Sequence, residues 1–267
     1  MKGAANAMKL VRFLYNGREQ YGDLQADTIR LLDGALDTGF TPSDKCAARA
    51  DVRLLAPVRP SKAVCIGLNY MDHIIESHEK VPTSPVVFIK PSTAVIGPGG
   101  RIVYPAQSKR VDYEGELAIV IGRRAKNVPE HEAASHILGY TCANDVTARD
   151  LQPSDGQWSV AKGLDTFLPL GPCVDTEADP SGLPIRTILN GRTVQNSNTR
   201  HLLFKPLWIV SWLSAVMTLL PGDVILTGTT LGIGPMQPGD TVSVEIDGIG
   251  RLENTIVSDG AKGETDV

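Results

Sequence analysis

Basic runs, paired cysteines, an export signal and a membrane-length apolar segment are all missing from this 267-residue sequence. Without any dense lysine and arginine run, and with a net charge of -4 and a pI near 5.7, nucleic acid and anionic membrane surfaces are excluded as main partners. The four cysteines, Cys46, Cys65, Cys142 and Cys173, contain no C-x-x-C, and no histidine stands at zinc-finger spacing. That excludes a disulfide framework and a structural zinc site, and leaves Cys65 and Cys142, which lie in apolar runs, as small core residues. The opening M-K-G-A-A-N-A-M-K-L has neither an apolar signal core nor a cleavage-site context, so a cytoplasmic location is expected. The apolar run Leu207 to Leu220, bounded by Pro206 and Pro221, falls short of the roughly 20 residues of a spanning helix. It reads as a core or subunit-interface helix, with Trp208 and Trp212 engaged in packing.

What remains is the composition of an ordinary soluble globular protein, long enough for one large domain or a large one with a small appendage. Residues 1–60 are expected to be a small N-terminal domain, with 1–7 a disordered extension, and residues 61–267 the main domain. The first part alternates strand-like runs (Leu10 to Tyr15, Thr28 to Leu32) with turns and closes in a proline-rich linker at Pro57 to Pro60.

The chain is organised around D-Y-E-G-E-L-A-I-V-I-G, Asp112 to Gly122. Its apolar run suits a strand covered on both faces, and in a strand Glu114 and Glu116 lie on one face with Gly115 between them. On an exposed edge Glu-x-Glu is only a solvated face. At the mouth of a buried strand two carboxylates repel one another unless a cation holds them, and a hard metal ion is the natural partner.

Other segments offer companions. In I-G-L-N-Y-M-D-H-I-I-E a strand gives way to a turn and then a helix, where His73 and Glu76, i and i+3, are either a water-activating dyad or an incidental surface ion pair. His78, His131 and His136 read as solvated, the last two on a surface helix over 130–138. P-V-V-F-I-K-P (85–91) reads as a short strand. In G-Y-T-C-A-N-D-V-T-A-R-D-L-Q a strand ends at Asn144-Asp145, so Asp145 either presents a third carboxylate beside Glu114 and Glu116 or caps a following helix. Arg149 is placed to pair with Asp145 or an anionic substrate, and Gln152 to hydrogen-bond one. Lys162, in a weakly polar run, either snorkels to the surface or offers a fixed positive charge to a pocket. N-G-R at 190–192 is a hairpin turn, and P-G-D at Pro221 and Pro238 suits type II turns before two further strands. Between these, T-G-T-T-L-G-I-G-P (227–235), with Gly228 and Thr229, is a glycine-dense loop that lets backbone approach a ligand. It matches neither the Walker nor the dinucleotide fingerprint.

Six pieces in register, I-G-L-N-Y-x-x-H-x-x-E, F-x-K-P, D-Y-E-G-E-L-A, G-Y-T-x-x-N-D-V-T-A-R-D-L-Q, K-x-x-D-T-F-x-P-x-G-P and P-G-D-V-I-L-T-G-T, resemble the fumarylacetoacetate hydrolase superfamily from about residue 60 to 257. The resemblance implies an α+β, β-rich fold, a mixed β-sandwich or β-roll with few helices and a small N-terminal domain, assembled as a homodimer. It implies Glu114, Glu116 and Asp145 as ligands of Mg²⁺ or Mn²⁺, His73 and Glu76 as a dyad on a lid, and Lys162 as the stabiliser of developing negative charge. Gln152, Arg149, Gly228 and Thr229 fall to substrate binding. One departure is Thr230, which stands where the family loop usually has proline and so removes a fixed φ; Ile233 replaces a valine.

The implied substrate is a small 2-oxo or 2,4-dioxo acid, an acylpyruvate or fumarylpyruvate-like molecule chelated by the cation. Its C–C bond would be hydrolysed by a water activated at His73, leaving a metal-bound pyruvate enolate. The alternative is an oxaloacetate-type decarboxylase, or a 2-oxo acid hydratase or tautomerase, and a non-catalytic ligand-binding relative is a third reading.

Overall fold

The computed structural model describes residues 7–154 and 156–260. The extension expected at 1–7 therefore lies, apart from Ala7, outside the described residues. A sheet of twelve strands forms the body of the molecule. Its N-terminal strands, Lys9–Tyr15, Arg18–Gln25, Thr28–Ala35 and Gly39–Ala48, run as an antiparallel meander that joins the rest where Lys9 and Leu10 pair with Asp175 and Val174. Beyond that junction the order is Leu168–Asp175, Ile137–Asn144, Gly115–Ile121, Val224–Thr229, Ala63–Gly67 and Val86–Lys90. Ala63–Gly67 lies parallel to Val224–Thr229, which ties the two ends of the main domain together.

Gly115–Ile121 is buried at every position because it has a core on each face. Leu117, Ile119 and Ile121 face Ile185, Val244, Ile246 and Leu252 of a second, five-stranded sheet and Ile209, Val210 and Leu213 of the longest helix, Pro206–Val216. Ala118 and Val120 face the other way, among Ala63, Cys65, Phe88, Ala143, Leu168 and Leu226. The unbroken apolar run is thus the signature of a two-sided strand. Each buried aliphatic side chain contributes about 1.5–3 kcal/mol.

The predicted turns form as their residues dictate. Asn190 (φ 50°) and Gly191 (φ 78°) close a two-residue hairpin between Leu189 and Arg192, and Gly222 and Gly239 take positive φ in the two P-G-D turns. The helix expected over Leu207 to Leu220 ends at Val216, because Leu219 leaves it to form a backbone bridge with Ala125. The helix expected over 130–138 is one turn, Glu130–Ala133, with a 3-10 turn after it, and Ile137 already belongs to a strand. Among the described residues no helix is long and apolar enough to cross a membrane.

Candidate functional site

The pair Glu114 and Glu116 does not sit in one strand. The chain changes sheets at Glu114: Val111–Tyr113 pairs with Thr147–Ala148 and Gly234–Met236 in a small three-stranded sheet, and only from Gly115 does it enter the large one. The switch is bolted in place by backbone. Glu114 N–H donates to Asn144 Oδ1 (2.9 Å), its carbonyl accepts from Asp145 N–H (2.9 Å), and Gly115 N–H donates to Gln195 Oε1 (3.0 Å). Glycine is required at 115, since a Cβ there would stand 2.1 Å from Thr187 Oγ1. Strand parity then turns Glu116 to the face of Ala118 and Val120, and Glu114 reaches the same point from the switch.

Asp145 follows the strand that pairs with Gly115–Ile121 and completes a buried triad, Glu114, Glu116 and Asp145, with one carboxylate oxygen of each within 4.8 Å of the others. No helix begins after Asp145 for it to cap; Thr147–Ala148 is a strand and Arg149–Leu151 a 3-10 turn. Lys162, at the end of the one-turn helix Ser159–Lys162, enters the triad, with Nζ 2.7 Å from Glu114 Oε2 and 2.8 Å from Asp145 Oδ2, and 5.0 Å above the Phe88 ring. It does not snorkel. Arg149 pairs with Asp112 and Glu114 rather than with Asp145: Nε donates to Asp112 Oδ2 (2.9 Å), one terminal nitrogen to Glu114 Oε1, and the other to Gln152 Oε1 (2.7 Å).

The electrostatics divide the two glutamates. Burial raises the Glu114 pKa, but Lys162 and Arg149 outweigh it and hold the carboxyl well below the usual range. Glu116 is pushed far above that range, first by burial and then by the charges of Asp145 and Glu114, against which Lys162 and the Gly228 N–H (2.6 Å to Oε2) are insufficient. Four carboxylates, Asp112, Glu114, Glu116 and Asp145, face four cations, Lys90, Lys162, Arg149 and Arg110, but the ion pairs go to Asp112, Glu114 and Asp145, and among the described residues Glu116 has none. A divalent cation among these oxygens would supply the positive charge that Glu116 lacks beside it, and an all-carboxylate donor set suits a hard ion such as Mg²⁺ or Mn²⁺. The residues fit the metal.

His73 and Glu76 lie on the helix Met71–Glu76 with Nδ1 3.3 Å from Glu76 Oε2. His73 is buried, and the Glu76 carboxylate is held a second time by the N–H of Gly232 (3.2 Å to each oxygen). With Nδ1 donating to the carboxylate, Nε2 remains the basic nitrogen. Triad, dyad, Lys162, Arg149, Gln152 and Thr229 line one cleft of about 700 Å³, whose other wall is apolar: Leu68, Val86, Phe88, Trp158 and Ile233. Gly228 is the exception among the expected substrate contacts, since its N–H is spent on Glu116.

Sequence reasoning passed over three residues. Lys90 is completely buried, its Nζ bonded to Asp145 Oδ1 and 2.9 Å from Val146 O. The signal was there: alternation along V-V-F-I-K places Lys90 on the buried face of Phe88 while Ile89 points out. Asp112, also fully buried, anchors both Arg149 and Arg110. Gln195 receives the N–H of Gly115 and the hydroxyl of Thr187 (2.6 Å), and its amide nitrogen donates to Thr229 Oγ1 (2.9 Å) and Thr230 O (2.8 Å). It clamps the glycine loop at the place where proline would have fixed φ.

Residues 62–257 match the family described as fumarylacetoacetate (FAA) hydrolase C-terminal, and residues 8–57 the one described as Rv2993c-like, N-terminal. The chain is 44% identical over 245 residues to a mitochondrial oxaloacetate tautomerase of Xenopus laevis, covering 86% of this chain and 77% of that one. Its structure is similar to that of a 2-hydroxyhepta-2,4-diene-1,7-dioate isomerase from Mycobacterium marinum (TM-score 0.88, 45% identity, 95% and 100% of the two chains). It is also similar to a maleylpyruvate hydrolase from Sphingobium sp. SYK-6 in complex with manganese (II) and pyruvate (TM-score 0.79, 29% identity, 94% and 99%).

Proposed function

The chain belongs to the fumarylacetoacetate hydrolase family of enzymes, and from that premise we propose that it is a divalent-metal-dependent hydrolase cleaving the C–C bond of a 2,4-dioxo acid to release pyruvate. The observation that carries this reading is the single cleft in which the carboxylate triad and Lys162 stand across from the His73–Glu76 dyad. Glu114, Glu116 and Asp145 would hold the cation, which when bound supplies Lewis-acid stabilisation of negative charge on the substrate's oxygens. The maleylpyruvate hydrolase, a relative found with manganese and pyruvate, supports both the ion and the product.

His73, oriented by Glu76, takes a proton from water, and the hydroxide adds to the distal carbonyl. Collapse of the adduct breaks the bond to the pyruvyl carbon, and the electron pair leaves as the pyruvate enolate. Lys162, itself buried, would meet the oxygen on which that charge develops as a fixed cation. Arg149, held by Asp112 and Glu114, and Thr229 bound the position of the substrate's carboxylate.

A second reading, tautomerisation of an oxaloacetate-type 2-oxo acid, is favoured by the likeness to the Xenopus laevis enzyme. It uses the same enolate and needs no attacking water. The two are separated by assaying acetylpyruvate cleavage and oxaloacetate enol–keto exchange with Mg²⁺ or Mn²⁺ in wild type, Glu116→Ala and His73→Ala. Hydrolysis requires that both variants lose cleavage by about 10²-fold or more. Undiminished cleavage in Glu116→Ala removes the metal assignment, while exchange without cleavage in wild type selects the tautomerase.

A further inference from the structure

Arg110 stands at the mouth of the same cleft and plays no part in the chemistry above. Its Nε donates to Asp112 Oδ1 (2.9 Å), the fully buried carboxylate whose other oxygen takes Arg149. Asp112 therefore holds two guanidinium groups side by side. Arg149 turns inward, with each of its three nitrogens already bonded, to Asp112, Glu114 and Gln152. Arg110 turns outward: its side chain is 51% exposed, Asp112 is its one ion-pair partner among the described residues, and neither terminal nitrogen has a partner there. A guanidinium fixed at Nε with both terminal nitrogens unused is a fork for one carboxylate, the bidentate geometry that arginine makes and lysine does not.

We infer that Arg110 is the specificity residue for a second, distal carboxylate, so that the preferred substrates are 2-oxo acids with a carboxylate at both ends. The inference rests on the reading of the cleft as a 2-oxo acid site. The near carboxylate goes to the metal end, the middle carbons lie along Val86, Phe88 and Trp158, and the far carboxylate meets Arg110. The alignment comes from the Asp112 anchor, which puts Arg110 one carboxylate and one guanidinium away from the metal ligand Glu114. A monocarboxylic acylpyruvate would leave the fork to water.

The test uses Mg²⁺-loaded wild type, Arg110→Gln and Arg110→Lys, with a 2,4-dioxo monocarboxylate and the 2,4-dioxo acid of equal length that ends in a carboxylate. Wild type is expected to favour the dicarboxylate; Arg110→Gln should lose about 10- to 100-fold in kcat/KM on it, mainly through KM, and stay within about twofold on the monocarboxylate. Arg110→Lys, which keeps the charge but not the fork, should recover only part of the loss. Equal handling of the two acids by wild type, or an equal fall on both in Arg110→Gln, overturns the assignment. If wild type turns over neither acid, the 2-oxo acid hydrolase reading fails separately. Calorimetric binding of the two acids to wild type and Arg110→Gln then decides the role of Arg110 on the same ratio.

Discussion

Lys90 has no water to share its charge with, so its whole stability rests on Asp145 and one carbonyl. Replacing one member of such a pair costs about 3–5 kcal/mol when the other is left uncompensated, and Lys162, which still reaches Asp145, keeps the expected loss for Lys90→Met near the lower end, about 3 kcal/mol. Because a cation at the triad would replace the missing charge, added Mg²⁺ should restore more stability to Lys90→Met than it adds to wild type. Thermal unfolding with and without the ion checks both halves; equal metal effects on the two proteins refute the charge-balance account. At this scale the sequence was most legible where a residue's type was unusual for its surroundings, as with Glu116 in an apolar strand. It was least legible where partners come from distant segments: nothing near Arg149 in sequence says that Asp112 and Glu114 would hold it.

The elements around the site are joined by one amide. Gln195, from the five-stranded sheet, ties the sheet switch at Gly115 to the glycine loop at Thr229 and Thr230. Gln195→Leu keeps the volume and removes every one of these bonds, leaving the buried Gly115 N–H unpaired at a cost of about 1–3 kcal/mol. The expected phenotype is a folded protein with lower thermal stability and reduced turnover, and hydrogen exchange should rise at Gly115 and over 228–232 while the N-terminal meander is unchanged; uniform exchange across the chain would count against a local clamp. Strand and turn existence could be read from apolar runs and from N-G and P-G-D, because those signals are local. The break of the D-Y-E-G-E strand at Glu114 could not, because period-2 alternation continues unbroken through a residue whose two sides pair in different sheets. The helix ends at Val216 for a similar reason: the apolar run goes on, but its last residues are claimed by the partner bridge at Ala125.

For the molecule as a whole, the raised pKa of Glu116 makes stability depend on pH in a definite direction. Burial and two neighbouring carboxylates let the folded protein hold this proton more tightly than the unfolded chain does. The contribution is therefore fully present below the ordinary glutamate value of about 4.3 and is lost as pH rises toward the folded value. A divalent cation takes the place of the proton, so its stabilising effect should grow over the same window. With metal at about 100 times its Kd the gain is about 2.7 kcal/mol, or roughly 5–10 °C in Tm for a chain of this size. Scanning calorimetry at about pH 8 should show a larger metal-induced shift than at about pH 5; a shift independent of pH would place the ion elsewhere. The β-rich class came from the family resemblance that the six motif pieces carry, and the joining of the N-terminal meander to the large sheet at Leu10 and Val174 is long-range pairing that no local pattern encodes. The parallel pairing of Ala63–Gly67 with Val224–Thr229 has one more consequence, for synthesis. On the ribosome Ala63–Gly67 and Gly115–Ile121 both wait for a partner that emerges late, so a chain stalled before residue 224 leaves two strand edges unpaired, the kind of edge that invites pairing with another chain.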